Sequence, residues 1–442
     1  MEYYDGVTLK IKYYVWIILI ATLSSTGYSA QSTRTGQGDS TVVSRFGLPR
    51  VVGNRIVDQY GNPLILRGMS LFWSQWMAQF YNPSCIGWLY NDWKCTVVRA
   101  AMAIGSGGYL TNPAAEKAKV KTVIDACISN GIYVIVDWHD DNAQNHVAES
   151  IAFFEDIAKQ YGDNPNVIYE IYNEPLQVSW TNVIKPYADS VVKHIRAIDP
   201  DNLIIVGTPT WSQDVDVASL NPLTANNIAY ALHFYAATHK QSLRNKAQTA
   251  LNNGIALFVT EFGTCESSGT GILDSNETKT WFTFMNQNNL SWCNWAIEDK
   301  AETAAALKPG SSGTGNWSIS SLTASGLIIR QNILAGNSSI ITSVRQEEQP
   351  SNFRLYQNYP NPFNPETTIE YDLNKSGHTR LEIFDFLGRN ISSLVDRYES
   401  EGQHKVKWYG TNETGLPAAS GVYMIQITFD SEIQRRKIVL LR

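Results

Sequence analysis

A chain of 442 residues with 43% hydrophobic content can bury a large core and carry a second, smaller domain beside it. Its net charge of -6 excludes a nucleic-acid partner, because phosphate contacts require clustered Lys and Arg, and favours a neutral or insoluble substrate. The 13 Trp and 22 Tyr exceed what a core of this size requires; most fill the core, and rings left at a surface suit stacking on apolar sugar faces.

At the start of the chain, Lys10 and Lys12 precede an apolar run from Val15 to Leu23, and small residues follow up to Ala30. That is the layout of a secretory signal peptide over residues 1–30, too short to anchor in a bilayer, with 31–45 as a linker. Export puts the five cysteines in an oxidising compartment, where Cys85 and Cys95 are close enough in sequence to close a small loop. Cys127, Cys265 and Cys293 read as small buried hydrophobes, and no Cys/His spacing resembles a metal site.

Residues 46–336 alternate β-prone runs with helix-like stretches. Val51 to Pro63, turning at Tyr60-Gly61-Asn62, reads as a hairpin closing the bottom of a barrel. Strands are expected at Leu64–Arg67, Thr96–Ala101, Tyr133–Asp137, Val167–Tyr172, Leu203–Gly207, Ile228–Phe234, Ala256–Thr260 and Ser291–Asn294, the count for an α/β fold of the (β/α)8 TIM barrel type. Apolar residues three and four apart predict helices at Pro113–Asn130, Val147–Tyr161, Trp180–Ile198 and Asn276–Asn289, with ends at Asn130-Gly131 and Asp199-Pro200. A polar linker is expected at 337–352. Alternating runs with frequent turn residues then predict a small all-β sandwich over 353–442.

Two runs, Ile168-Tyr169-Glu170-Ile171-Tyr172-Asn173-Glu174-Pro175 and Phe258-Val259-Thr260-Glu261-Phe262-Gly263, end in a carboxylate beside Pro or Gly, which is how a buried strand delivers an acid to a barrel mouth. Polar or aromatic residues stand at the ends of strands two to eight: Arg99, His139, Asn173 with Glu174, Trp211, His233 with Tyr235, Glu261 and Trp295. Two acids are the minimum for cleaving a glycosidic bond, one to protonate the leaving oxygen and one to attack the anomeric carbon. Arg99 and the Tyr235 hydroxyl are the candidates to keep Glu261 ionised, with His233 beside Glu174 as acid/base and Asn173 donating to the sugar 2-hydroxyl.

The pieces Val98-Arg99-Ala100-Ala101-Met102, Val136-Asp137-Trp138-His139, Tyr169 to Pro175, His233-Phe234-Tyr235-Ala236 and Thr260-Glu261-Phe262-Gly263 together resemble glycoside hydrolase family 5, in particular its bacterial endo-β-1,4-glucanases. The resemblance implies Glu174 as acid/base and Glu261 as nucleophile. It implies that Arg99, His139, Asn173, His233, Tyr235 and Trp295 line the subsite of the cleaved sugar. In Trp295 to Thr303, Lys300 and Glu302 correspond to residues that bind the next sugar; a solvated salt-bridged loop is the other reading of that run. Trp76, or its neighbour Trp73, corresponds to an aromatic platform on that side, and Trp211 to one beyond the cleavage point. Phe72 and Phe262 depart from the family pattern, which often has His and Trp there.

The tail, from Phe353-Arg354-Leu355-Tyr356-Gln357-Asn358 through Pro365 to Arg435-Arg436-Lys437-Ile438-Val439, resembles the sorting domain of type IX secretion cargo; a carbohydrate-binding module is the other reading, and Trp408 and Tyr409 form no evident platform for one. The expectation is a secreted, monomeric, retaining endo-β-1,4-glucanase, extracellular or attached to the outer membrane, needing no metal or cofactor and acting on a β-glucan polysaccharide. The alternatives are a β-mannanase or xyloglucanase on the same frame, or a non-catalytic polysaccharide-binding protein.

Overall fold

The computed structural model describes residues 41–341, 353–356, 358–385, 388–430 and 432–442. The expected export signal and most of both expected linkers lie outside the described residues. Eight parallel strands close into a barrel in sequence order: β1 (Arg67–Leu71), β2 (Val97–Ala103), β3 (Tyr133–His139), β4 (Val167–Glu170), β5 (Ile204–Val206), β6 (Ile228–Tyr235), β7 (Leu257–Gly263) and β8 (Ser291–Ile297). From β2 to β8 every strand residue is buried, because helices cover the outer face and side chains fill the inner one. That is why these strands read as unbroken apolar runs instead of alternating ones.

The helices Pro113–Asn130 and Val147–Tyr161 have the expected bounds. The first ends at Gly131 in a left-handed conformation (φ 64°), donating to the Cys127 and Ile128 carbonyls, and the Thr41 side chain occupies the space a Cβ there would need. The expected Trp180–Ile198 helix is a wide turn at Trp180–Ile184 followed by Lys185–Arg196, and Ser275–Gln287 begins where the Asp274 side chain accepts from the Glu277 amide.

Several expectations need correction. The first strand lies at Arg67–Leu71, three residues later than expected, because Gly68 is inside it: a Cβ there would stand 1.7 Å from the Val97 carbonyl oxygen, so only glycine lets β1 and β2 close. The second strand runs two residues past Ala101, to Ala103. The hairpin pairs Arg50–Val52 with Arg55–Val57 and turns at Gly53-Asn54; the Tyr60-Gly61-Asn62 turn is a second one, bridging Val57 to Pro63. A short helix, Val42–Phe46, packs Val42 and Val43 into the barrel core ahead of residue 46. The boundary expected at 336 falls inside the helix Ala324–Ile341, where Asn337 is buried and donates to the Arg67 and Lys94 carbonyls. Cys85 and Cys95 are not joined: all five cysteines are free, buried thiols.

Beyond the linker, an antiparallel three-stranded sheet (Phe353–Leu355, Thr367–Leu373, Gly402–Trp408) and a four-stranded one (Asn390–Glu399, Gly377–Asp385, Gly421–Phe429, Glu432–Leu440, in spatial order) enclose a core that includes Ile369, Tyr371, Leu381, Ile383, Trp408, Ile425 and Ile427. None of these residues belongs to the barrel core.

Candidate active site

The carboxyl ends of β2, β3, β4, β6, β7 and β8 converge on a network of charged side chains. At its centre is Arg99, third residue of β2 and fully buried, so it lies beneath the barrel mouth and not at the strand end where it was expected. Its guanidinium reaches Glu170 through Nε (2.7 Å), Glu261 through Nη1 (3.0 Å) and Asp137 through Nη2 (2.9 Å), and Nη2 also donates to the Asn173 Oδ1 (2.7 Å). Asn173 thus has its acceptor occupied and its amide Nδ2 left to donate, at present weakly to Asp141 Oδ1 (3.3 Å).

Glu261 sits in β7 because of a register slip. Ala231 pairs with Phe258 but His233 pairs with Glu261, an extra residue in β7 that brings both Thr260 and Glu261, neighbours in sequence, to the barrel interior. Thr260 donates to Glu170 Oε1 (2.6 Å), and Tyr235, last residue of β6, donates its hydroxyl to Glu261 Oε1 (2.9 Å). Burial and the nearby Glu261 hold the Tyr235 hydroxyl well above its ordinary titration range, so it stays a donor.

His233 bridges the two halves of the site. Its Nε2 meets Thr260 Oγ1 (2.8 Å), whose proton is committed to Glu170, and its Nδ1 meets Glu174 Oε1 (2.8 Å). A ring donating from both nitrogens is an imidazolium. Burial works to lower its pKa, but the nearby Glu170 carboxylate (3.8 Å) and the hydrogen-bonded Glu174 outweigh this and raise it to about 9. Glu170, which burial alone would raise, is brought down to about 2 by Arg99 and His233. His139, last in β3 and held by Asp137 (2.7 Å), goes the other way: burial and the Arg99 charge lower it to about 4, leaving a neutral ring.

One carboxylate oxygen each from Glu174 and Glu261 and a ring nitrogen of His233 lie within 4.8 Å of one another. They open on a cavity of about 410 Å³ whose wall continues over Trp211, Gln213, Tyr235, His239 and Ser267. Trp211 is not at a strand end: it stands five residues past β5, in a turn where Thr210, Trp211 and Ser212 all have left-handed backbones, and it is 39% exposed. The Ser212 hydroxyl and the Trp211 amide tie this turn to the Asn173 and Pro175 carbonyls, on either side of Glu174.

The opposite wall is aromatic. Trp76, 54% exposed, stacks on Trp73 (5.0 Å between ring centres); Trp73 meets His139 edge-on, and Trp295 lies parallel to His139 at 5.2 Å. Phe72 links Trp295 to the Lys300 ammonium, which sits 4.6 Å over its ring and 2.6 Å from Glu302. The expected site residues are therefore gathered around this mouth, with Arg99 beneath it. Sequence reasoning passed over Asp137, Glu170, Thr260, Gln213 and His239. Asp137, two residues before His139 on the same strand face, is the one that period-two alternation points to.

Residues 57–301 match the family described as Cellulase (glycosyl hydrolase family 5), and residues 357–441 match the secretion system C-terminal sorting domain. The chain is 58% identical over 248 residues to Endoglucanase Z of Dickeya dadantii, covering 55% of this chain and 58% of that protein, less than two thirds of its length. It is 46% identical over 320 residues to an endoglucanase of Clostridium saccharobutylicum, covering 72% and 71%. A Cytophaga hutchinsonii structure is similar at a TM-score of 0.68 with 53% identity, covering 69% of this chain and 99% of that one. The catalytic domain of Thermobifida fusca endoglucanase Cel5A is similar at 0.64 with 38% identity, covering 66% and 99%.

Proposed function

From the premise that the chain belongs to glycosyl hydrolase family 5, we propose that it is a retaining endo-β-1,4-glucanase cutting internal bonds of cellulose or mixed-linkage glucan by double displacement. The observation that carries this reading is the pair Glu174 and Glu261, with oxygens within 4.8 Å of each other in unlike surroundings. A separation near 5 Å suits direct attack by one carboxylate; an inverting enzyme needs room for a water between them.

Charge assigns the roles. Glu261 accepts from the buried Arg99 guanidinium (3.0 Å) and from the Tyr235 hydroxyl (2.9 Å), two donors that favour its ionised form, whereas Glu174 meets the His233 ring (2.8 Å) at the edge of the cavity. Glu261 attacks the anomeric carbon while Glu174, sharing its proton with His233, protonates the leaving oxygen. Water assisted by Glu174 then releases the sugar from Glu261. The Nδ2 of Asn173, held weakly by Asp141, donates to the 2-hydroxyl as positive charge develops on the ring. Trp76 with Trp73, and Trp211 across the acids, stack on sugars either side of the cut. Lys300 and Glu302 contact the sugar next to the cleaved one. A variant of the Thermobifida fusca domain solved with cellotetraose supports a β-glucan over other polymers.

The C-terminal sorting domain marks the chain for type IX export, outside the cell or on its surface, and no helix among the described residues is long and apolar enough to cross a membrane. We take the working unit to be a monomer. The test is product release from carboxymethyl-cellulose, barley β-glucan, xyloglucan and mannan, with Glu261→Gln as blank and proton NMR of the first-formed anomer. Short cello-oligosaccharides from the first two, born as the β-anomer, are expected. Release from mannan or xyloglucan alone overturns the substrate, α-anomer products overturn double displacement, and binding without release overturns catalysis.

A further inference from the structure

One buried acid in the barrel has no role in the mechanism above. Glu298 follows β8 directly, is fully buried, and neither of its carboxyl oxygens meets a hydrogen-bond donor. What it faces is the carboxylate of Glu302, four residues on, which in turn holds Lys300 at 2.6 Å beneath the position of that ammonium over Phe72. The surrounding groups are Lys300 and Asp299 on its own loop and the Cys265 thiol on the loop after β7, where the Gly269 carbonyl accepts from the Ala304 amide. An ionised carboxyl without a donor, pressed against a second carboxylate, is strongly disfavoured. The neutral acid relieves this, because its hydroxyl can donate to Glu302.

We propose that Glu298 is a positioning residue that works as a neutral carboxylic acid, donating to Glu302 and so fixing Lys300 for the sugar next to the one cleaved, and that its ionisation weakens binding of that sugar without touching the acids that cut. This rests on the glucanase reading for the place of Lys300. Burial and then Glu302 push the Glu298 carboxyl up to about 9, with Lys300 opposing. Below that pH the acid is neutral; above it, two adjacent carboxylates compete for one ammonium, which leaves the Phe72 ring.

The test uses the full chain and cello-oligosaccharides long enough to fill the site, with KM and kcat followed against pH for the wild type and Glu298→Gln, whose amide still donates but cannot ionise. In the wild type KM rises roughly threefold or more between about pH 8 and pH 10. In Glu298→Gln that rise is flattened, and KM at neutral pH stays within a few-fold of wild type. A rise that persists in Glu298→Gln, or a KM raised equally at every pH, overturns the inference. Infrared difference spectra provide a second reading independent of turnover: a component of the protonated-carboxyl stretch that is present at neutral pH, lost through about pH 9, and missing from the variant is expected. Its absence from the wild type overturns the inference even if Glu298→Gln fails to fold. Wild-type inertness towards every β-glucan with the band present sinks the glucanase reading alone.

Discussion

The barrel and the sandwich use charge in opposite ways. In the barrel, Arg99 is fully buried against Asp137, Glu170 and Glu261. In the sandwich, ion pairs such as Lys405 with Glu370 lie across neighbouring strands with both side chains reaching solvent. The strands differ to match: those of the barrel are buried at nearly every position, while Thr367–Leu373 and Gly377–Asp385 alternate, one face in and one face out. A two-sheet sandwich has one dry layer and fills it with apolar rings. A barrel lined from eight directions surrounds a charge with several charged partners at once, and a dry, prearranged charge is what stabilises a transition state.

The largest break in this comparison comes from Glu261→Gln, which removes the proposed nucleophile and keeps its shape. Turnover is expected to fall by about four orders of magnitude or more, with glucan binding and melting temperature close to wild type. Near-normal activity in that variant would mean another residue attacks. Arg99→Met strands three carboxylates at once and should cost about 3–5 kcal/mol in denaturant unfolding as well as activity.

A pH titration sharpens the contrast next. His233, whose pKa rises from 6.5 to about 9, contributes stability that is fully present below about pH 6.5 and is lost as pH rises through about 9, when the imidazolium gives up its proton. The melting temperature of the barrel should decline across that window, and kcat with it, while His233→Gln flattens the decline. The smallest effect belongs to the sandwich: Lys405→Ala should change stability by less than about 1 kcal/mol, because solvent already screens the pair. A larger loss would mean that the two regions treat charge alike.

The eight strands and four of the helices were legible because buried parallel strands and amphipathic helices leave long periodic signals, whereas the helices Gln241–Asn252 and Ala324–Ile341 were not expected. Boundaries were not legible where a close approach decided them. Gly68 looks like the end of a strand, yet it lies within one because Val97 leaves no room for a side chain. Gly336-Asn337-Ser338 has linker composition, yet it is helical because Asn337 satisfies two carbonyls at the bottom of the barrel.

The site divides along the same line. The sequence alone pointed to Glu174 and Glu261, to the residues around them and to the aromatic rings near the mouth as candidates, since a carboxylate beside Pro or Gly at the end of an apolar run leaves few alternatives. Only the tertiary structure decided that Arg99 lies under the mouth with three carboxylates, that a one-residue slip turns both Thr260 and Glu261 inward, that His233 donates from both nitrogens, and that Glu298 is sealed against Glu302. The physical reason is that residue type and spacing are local properties of the chain, whereas register, burial and the sum of nearby charges belong to strands far apart in sequence, and it is these that fix which groups are ionised.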